Sequence, residues 1–236
     1  MAMSVYGPPL GKSFAGIDVV QEYTVSFASG DTDTAIWFLK DGACWLAFMG
    51  SQHDDDMVNN VNYKPVTFWG ISGVHAGVAE LEPQVNLMDF DQIRSSCTGP
   101  RTVTGHSLGG GKAQLFTLAI NKAGDPLSAN LKVDFLYTFG AMSITVGNDG
   151  NDKAADGCFA GAQYYYAERK GTDYVVDVAA FAAVGGATHE PVKTLKEYVF
   201  SDGSKASFPC GTPLPQSQSL YMAKGPVEWE RLHMKY

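Results

Sequence analysis

Arg101-Thr102-Val103-Thr104-Gly105-His106-Ser107-Leu108-Gly109-Gly110-Gly111 is the stretch that decides how this chain folds. Its first residues are largely β-branched and read as a short strand. A glycine-hinged turn with a serine at its tip follows, and then a helix. The helix shows in Ala113, Phe116, Ile120 and Ala123, which recur at three- and four-residue spacing, and in the stop supplied by Gly124-Asp125-Pro126. Gly105-His106-Ser107-Leu108-Gly109 therefore fits G-x-S-x-G in the strand–turn–helix setting of a nucleophile elbow. The bare pattern is weak evidence, and its flanks give it weight. Flanking glycines let backbone pass close to a strained turn, which predicts an exposed Ser107 Oγ. The helix N-terminus beneath it offers unpaired N–H groups to a developing negative charge. Ser107 is the candidate nucleophile. The competing possibility, a glycine-rich turn with a surface serine, is disfavoured by the strand before it and the helix after it.

Outward from the turn, strands alternate with helices. Thr34 to Lys40 and Ala43 to Met49 are apolar and β-forming, and Asp41-Gly42 between them predicts a hairpin. Cys44-Trp45-Leu46-Ala47-Phe48-Met49 is apolar on both faces, as a central strand covered by helices would be, and it ends at Gly50-Ser51. Residues 51–63 are polar and acidic at their centre, which by composition is a solvated loop. From Val74-His75-Ala76-Gly77 onward, Val78, Leu81, Val85 and Met88 keep helical spacing through a kink at Pro83. Lys132 to Phe139 and Ala162 to Glu168 read as further strands, residues 1–16 as a surface segment, and 147–157 as a long loop. The alternation predicts an α/β fold: one domain over residues 1–236, with a central, mostly parallel sheet flanked by helices in three layers.

Composition agrees with one domain, since 236 residues at 45% hydrophobic suffice for a sizeable core. A formal charge of −8 argues against nucleic acid or an anionic membrane as the main partner, because both attract basic patches. The apolar runs are too short to span a bilayer, and no charged-then-apolar leader opens the chain. Cys44, Cys97, Cys158 and Cys210 show no C-x-x-C spacing, so neither zinc nor a redox motif is expected. Cys44, inside an apolar strand pattern, reads as a buried free thiol. The other three lie among Gly, Pro, Ser and Asp, where a disulfide is feasible, and the three pairings of four cysteines stay open. The balance leans to a secreted protein.

A serine hydroxyl becomes a good nucleophile only when a base takes its proton, and a carboxylate normally holds that base. In elbow folds the chain order is Ser, Asp or Glu, then His. His189 and His233 are the histidines beyond Ser107; His53, His75 and His106 precede it and read as packing or loop residues. The acid is expected at the carboxyl end of a strand after the elbow helix. The strand ending at Glu168 runs out through Arg169-Lys170-Gly171-Thr172-Asp173, which makes Asp173 the candidate, with Asp177 as second choice.

In order, Gly50-Ser51, Val74-His75-Ala76-Gly77, Val103-Thr104-Gly105-His106-Ser107-Leu108-Gly109, Tyr137-Thr138-Phe139-Gly140 and Val146-Gly147-Asn148 resemble the class 3 lipase family, which includes fungal lipases and feruloyl esterases. The resemblance covers roughly residues 30 to 236. It implies an α/β-hydrolase fold, carboxylic-ester hydrolysis through a Ser-Asp-His triad, and no cofactor or metal. Residue by residue, Ser107 corresponds to the nucleophile, Asp173 to the acid, and Ser51 with the Leu108 N–H to the oxyanion hole. Here Tyr174-Val175-Val176 follows Asp173 without the family's proline, and Ala141-Met142-Ser143 replaces the Pro-Arg that usually follows Phe-Gly. Gly185-Gly186-Ala187-Thr188-His189 resembles a segment whose histidine is not catalytic in the family. The resemblance therefore assigns the base to His233, ahead of a terminal aromatic, with His189 as the alternative. Residues 51–63 correspond to the lid. Asp54-Asp55-Asp56 and a narrow apolar set of Met57, Val58 and Val61 look closer to the polar lids of feruloyl esterases. The implied partner is an ester or lipid substrate, with transient contact with a lipid interface, and the chain is expected to be a monomer. Two alternatives remain: a feruloyl-type aromatic esterase, and a non-catalytic binding protein on the same fold.

Overall fold

In the computed structural model of the chain, the described residues are 13–14, 17–26, 32–51, 64–121, 131–142, 144–146, 159–168, 171–172, 189–190, 194–200 and 204–210. The hairpin foreseen at Asp41-Gly42 joins β3 (Thr32–Lys40) to β4 (Ala43–Phe48). Both turn residues have positive φ, 51° and 80°, as a two-residue turn matched to strand twist requires. Beside β4 lies β7 (Arg101–His106), parallel to it, with Phe48 level with Gly105. Next come β8 (Phe135–Phe139), β10 (Ala160–Glu168) and β13 (Leu195–Phe200), all parallel. Antiparallel strands close the edges: β1 (Ser13–Phe14) and β2 (Ile17–Ser26) beyond β3, and β14 (Lys205–Phe208) beyond β13. A short strand β11 (Gly171–Thr172) folds back on β10. Among the described residues the order is thus β1-β2-β3-β4-β7-β8-β10-β13-β14, a mostly parallel sheet as expected.

The apolar character of β4 on both faces is explained by its position. Cys44, Leu46 and Phe48 join the larger core, whereas Ala47 and Met49 join a smaller cluster with Ile36 and Phe38 on the opposite face. Four helices cover the larger core: α1 (Ala76–Ala79), α2 (Glu82–Leu87), α3 (Phe90–Ser96) and the elbow helix α4 (Leu108–Asn121). The other face, where a third layer is expected, carries no helix among the described residues.

Several boundaries differ from expectation. The segment 74–88 is not one kinked helix. Val74 and His75 end a strand, β6 (Ile71–His75), and Pro83 sits in the first turn of α2, where its missing N–H has no partner to lose. The helical spacing persists across the break because Val78, Leu81 and Val85 enter the same core. Strand β8 begins at Phe135 rather than Lys132, and β10 begins two residues earlier than expected. A second, small antiparallel sheet goes unforeseen: β5 (Pro65–Phe68), β6, β9 (Thr145–Val146) and β12 (His189–Glu190), ordered β12-β9-β6-β5.

Cys44 is not a free thiol. It is bonded to Cys97. Cys44 is buried as its strand pattern predicts, and the chain path into β7 supplies its partner. Cys97 caps the C-terminus of α3, and the next residues fold back over the start of β4. There the Gly99 N–H donates to Gly42 O at 2.8 Å and the Cys44 N–H to Pro100 O at 2.9 Å. The two sulfurs meet in the core. Cys210 is also in a disulfide.

Candidate active site

The site is built where strands β4, β7 and β8 reach their carboxyl ends, the edge at which open α/β sheets place their chemistry. Strand β7 stops at His106, and Ser107 turns the chain into α4 with φ 58°. For a residue with a β-carbon, that left-handed conformation costs about 1–2 kcal/mol, so it persists only where the surroundings impose it. They do. The Ser107 N–H donates to Phe139 O at the end of β8 at 3.0 Å, and its carbonyl accepts from the Gly110 and Gly111 N–H groups at 3.0 and 3.2 Å.

The two glycines of the motif have separate reasons. A methyl group on Gly105 would lie 2.1 Å from the Gly109 carbonyl oxygen, so the strand could not pass so tightly beneath the helix. One on Gly109 would lie 2.3 Å from Phe48 O and 2.8 Å from Gly50 N. The absence of that carbon lets the end of β4 press against the first turn of α4. Gly50 and the half-buried Ser51 are brought there as a result. On the other side, a methyl on Gly110 would meet the Ala141 side chain at 2.6 Å.

This crowding corrects one expectation. Ser107 is not exposed at the tip of its turn: the residue is 3% accessible. Chain leaving β4 (Met49, Gly50) and β8 (Gly140, Ala141) rises on either side of the turn, and all four residues are buried. Leu108, also buried, opens α4. Its N–H is among the first of the helix, which have no carbonyl one turn earlier to bond.

Ser107, Leu108 and the Gly50-Ser51 segment are therefore gathered at one sheet edge. His75 and His106 are buried at the ends of β6 and β7, as packing residues would be. Asp173, Asp177, His233, His53 and residues 52–63 of the lid-like segment lie outside the described residues. So do the side chain of His189, whose backbone pairs with Val146 in the small sheet, and the predicted helix stop at Gly124-Asp125-Pro126.

One feature escaped the sequence. Lys112, in the first turns of α4, is 0% exposed and bonded to Asp33 of β3. Glu80, next to the end of α1, is exposed and lies near both. Partial desolvation of its carboxyl raises its pKa, Lys112 opposes that rise and Asp33 adds to it. Nothing in the local pattern marks Lys112 as internal. The only hint is that Ala113, Phe116 and Ile120 do not exhaust the apolar positions of a helix buried almost throughout.

The family profile of lipase (class 3) matches residues 45–181, more than half of the chain. The chain belongs to that family. No curated protein matches this class 3 lipase chain by sequence. Solved structures do match it. A native Rhizomucor miehei lipase propeptide complex is similar with a TM-score of 0.61 at 20% identity, over 86% of this chain and 63% of that one. Lipase II from Rhizopus niveus gives 0.65 at 16%, over 94% and 80%. A triacylglycerol lipase from Penicillium expansum gives 0.62 at 16%, over 87% and 79%. These likenesses establish the α/β-hydrolase fold. The class 3 lipase chain spans less than two thirds of the Rhizomucor protein.

Proposed function

We propose that this class 3 lipase chain hydrolyses carboxylic esters through an acyl-enzyme on Ser107. The observation that carries the proposal is the strained Ser107 turn between β7 and α4, with the end of β4 pressed onto the first turn of that helix. Strain at a buried serine held from three sides is what a nucleophile elbow needs and a plain connecting turn does not.

In the proposed reaction His233 takes the Ser107 proton as Oγ attacks the ester carbonyl. The resulting oxyanion is held by Ser51 and by the Leu108 N–H, where removing one donor typically costs about 3 kcal/mol of transition-state stabilisation. Asp173 fixes the tautomer of the imidazole and stabilises its cation. The imidazolium protonates the departing alcohol, and water then attacks the acyl-enzyme with His233 again as base. The acidic centre of residues 51–63 favours soluble or short-chain esters, because three adjacent carboxylates gain little from an anionic lipid surface. Lipid contact would be brief. The Cys44–Cys97 disulfide fits an oxidising compartment and so supports secretion.

Ser107→Ala should abolish turnover of p-nitrophenyl butyrate in a folded protein, and a serine-directed phosphonate should label the wild type at Ser107. Comparing His233→Ala with His189→Ala assigns the base, since only one should lose most of the rate. A folded wild type that neither labels nor turns over would favour a non-catalytic binding protein on the same fold.

A further inference from the structure

The elbow helix carries one stripe toward the sheet: Gly109, Lys112 and Phe116, three and then four residues apart. Gly109 abuts Phe48, Met49 and Gly50. Phe116 packs on Phe48 and Trp37, with ring centroids at 5.5 and 6.5 Å. Between them Lys112 reaches past the end of β4 to Asp33 on β3. The register shows where Asp33 stands. Ala35 is level with Phe48, the Met49 N–H donates to Thr34 O at 2.9 Å, and one step further along these antiparallel strands Asp33 is level with Gly50. The ion pair therefore straddles the point where β4 gives way to Gly50-Ser51.

Both charges are poorly placed if their purpose is only to stabilise the fold. A cation in the first turns of a helix opposes the macrodipole, and a buried pair is often no better than an apolar pair of the same volume. A leucine at 112 would fill the core with less desolvation. It would lack a directional bond to the neighbouring strand.

We propose that Asp33 and Lys112 are positioning residues for the oxyanion-binding segment: their buried ion pair ties the start of β3 to the first turns of α4 and so holds Gly50-Ser51 against Leu108 and Gly109. The inference rests on the assignment of Ser51 and Leu108 as oxyanion donors made above. Neither Asp33 nor Lys112 touches substrate. They act by fixing the separation of the two donors, which must be met when the carbonyl oxygen becomes an oxyanion and matters little before then.

The test uses Asp33→Asn, Lys112→Met, Ser51→Ala and the pair combined with Ser51→Ala, assayed on p-nitrophenyl butyrate with folded protein quantified by circular dichroism. Each single variant at the pair should lose about tenfold or more in kcat with KM within about twofold, the split expected when only transition-state contacts are lost. Adding Ser51→Ala to Asp33→Asn should cost much less than Ser51→Ala costs alone, because both remove the same aligned donor. Wild-type kcat in the folded pair variants, or losses that simply add to that of Ser51→Ala, would overturn the inference. If the single variants do not fold, Asp33→Leu with Lys112→Met supplies a matched apolar pair; a low kcat in that folded protein supports the positioning role and a wild-type kcat refutes it. Ser51→Ala leaving kcat unchanged would instead remove the oxyanion assignment, and the inference with it. Ser51→Ala losing rate while the pair variants keep theirs sinks the inference alone.

Discussion

Glu80 illustrates what partial desolvation does to one carboxyl group. Its pKa is raised, chiefly by desolvation. Such a group binds its proton more tightly in the folded protein than in the unfolded chain. Folding gains from it below the unfolded pKa, and the gain disappears as pH rises through the folded value. Glu80→Gln imitates the protonated state at every pH. It should melt with the wild type at about pH 4 and above it at about pH 8, where the wild-type carboxylate is charged. An equal offset at both pH values would contradict the assignment of the raised pKa to desolvation. Residues of this kind were invisible in the sequence. Lys112 is of a type normally given to solvent, and only the path of α4 across the end of β4 makes it internal. Ser107 was legible because its glycines announce close backbone contact on both sides. What its neighbours hid was the depth, since the end of β8 that accepts the Ser107 N–H is remote in sequence.

Among elements, α4 and the β3–β4 hairpin were legible because each satisfies a local rule. One repeats apolar residues at helical spacing, and the other needs two residues of positive φ at Asp41-Gly42. The short pieces were not. Helix α1 has four residues and strands β9 and β12 have two each, too few to establish a period. The Cys44–Cys97 link was missed for a related reason: it depends on how the chain after α3 crosses β4, which no local pattern reports. The contact of α4 with β4 makes a prediction at this scale. Gly109→Ala places a methyl 2.3 Å from Phe48 O, backbone that cannot swing aside as a side chain could. The helix must retreat from the strand end. Stability should fall by about 1–3 kcal/mol, as for other overpacked sites. Esterase kcat should fall further than the lost folded fraction explains, because Gly50-Ser51 moves with β4. Urea titration alongside kinetics measures both, and an active, equally stable Gly109→Ala protein would deny the close approach.

For the molecule as a whole, the fold class and the sheet edge carrying Ser107 followed from the alternation of strands and helices, whereas the antiparallel margins and the small second sheet did not. The bond between Cys44 and Cys97, 53 residues apart, works at this largest scale. Closing a loop of that length restricts the unfolded chain by about 4 kcal/mol in the chain-entropy account. Cys97→Ala should lower stability in that range, and reductant should lower the melting temperature of the wild type more than that of the variant, which keeps the Cys210 disulfide. The same bond bears on digestion. Residues 45–96, including all of α1, α2, α3 and the lid-like segment, lie inside the covalent ring. A protease that cuts once within this ring severs the polypeptide without releasing a fragment. The nicked protein should migrate as one species on a non-reducing gel and as two after reduction, with its halves still held together around the same core.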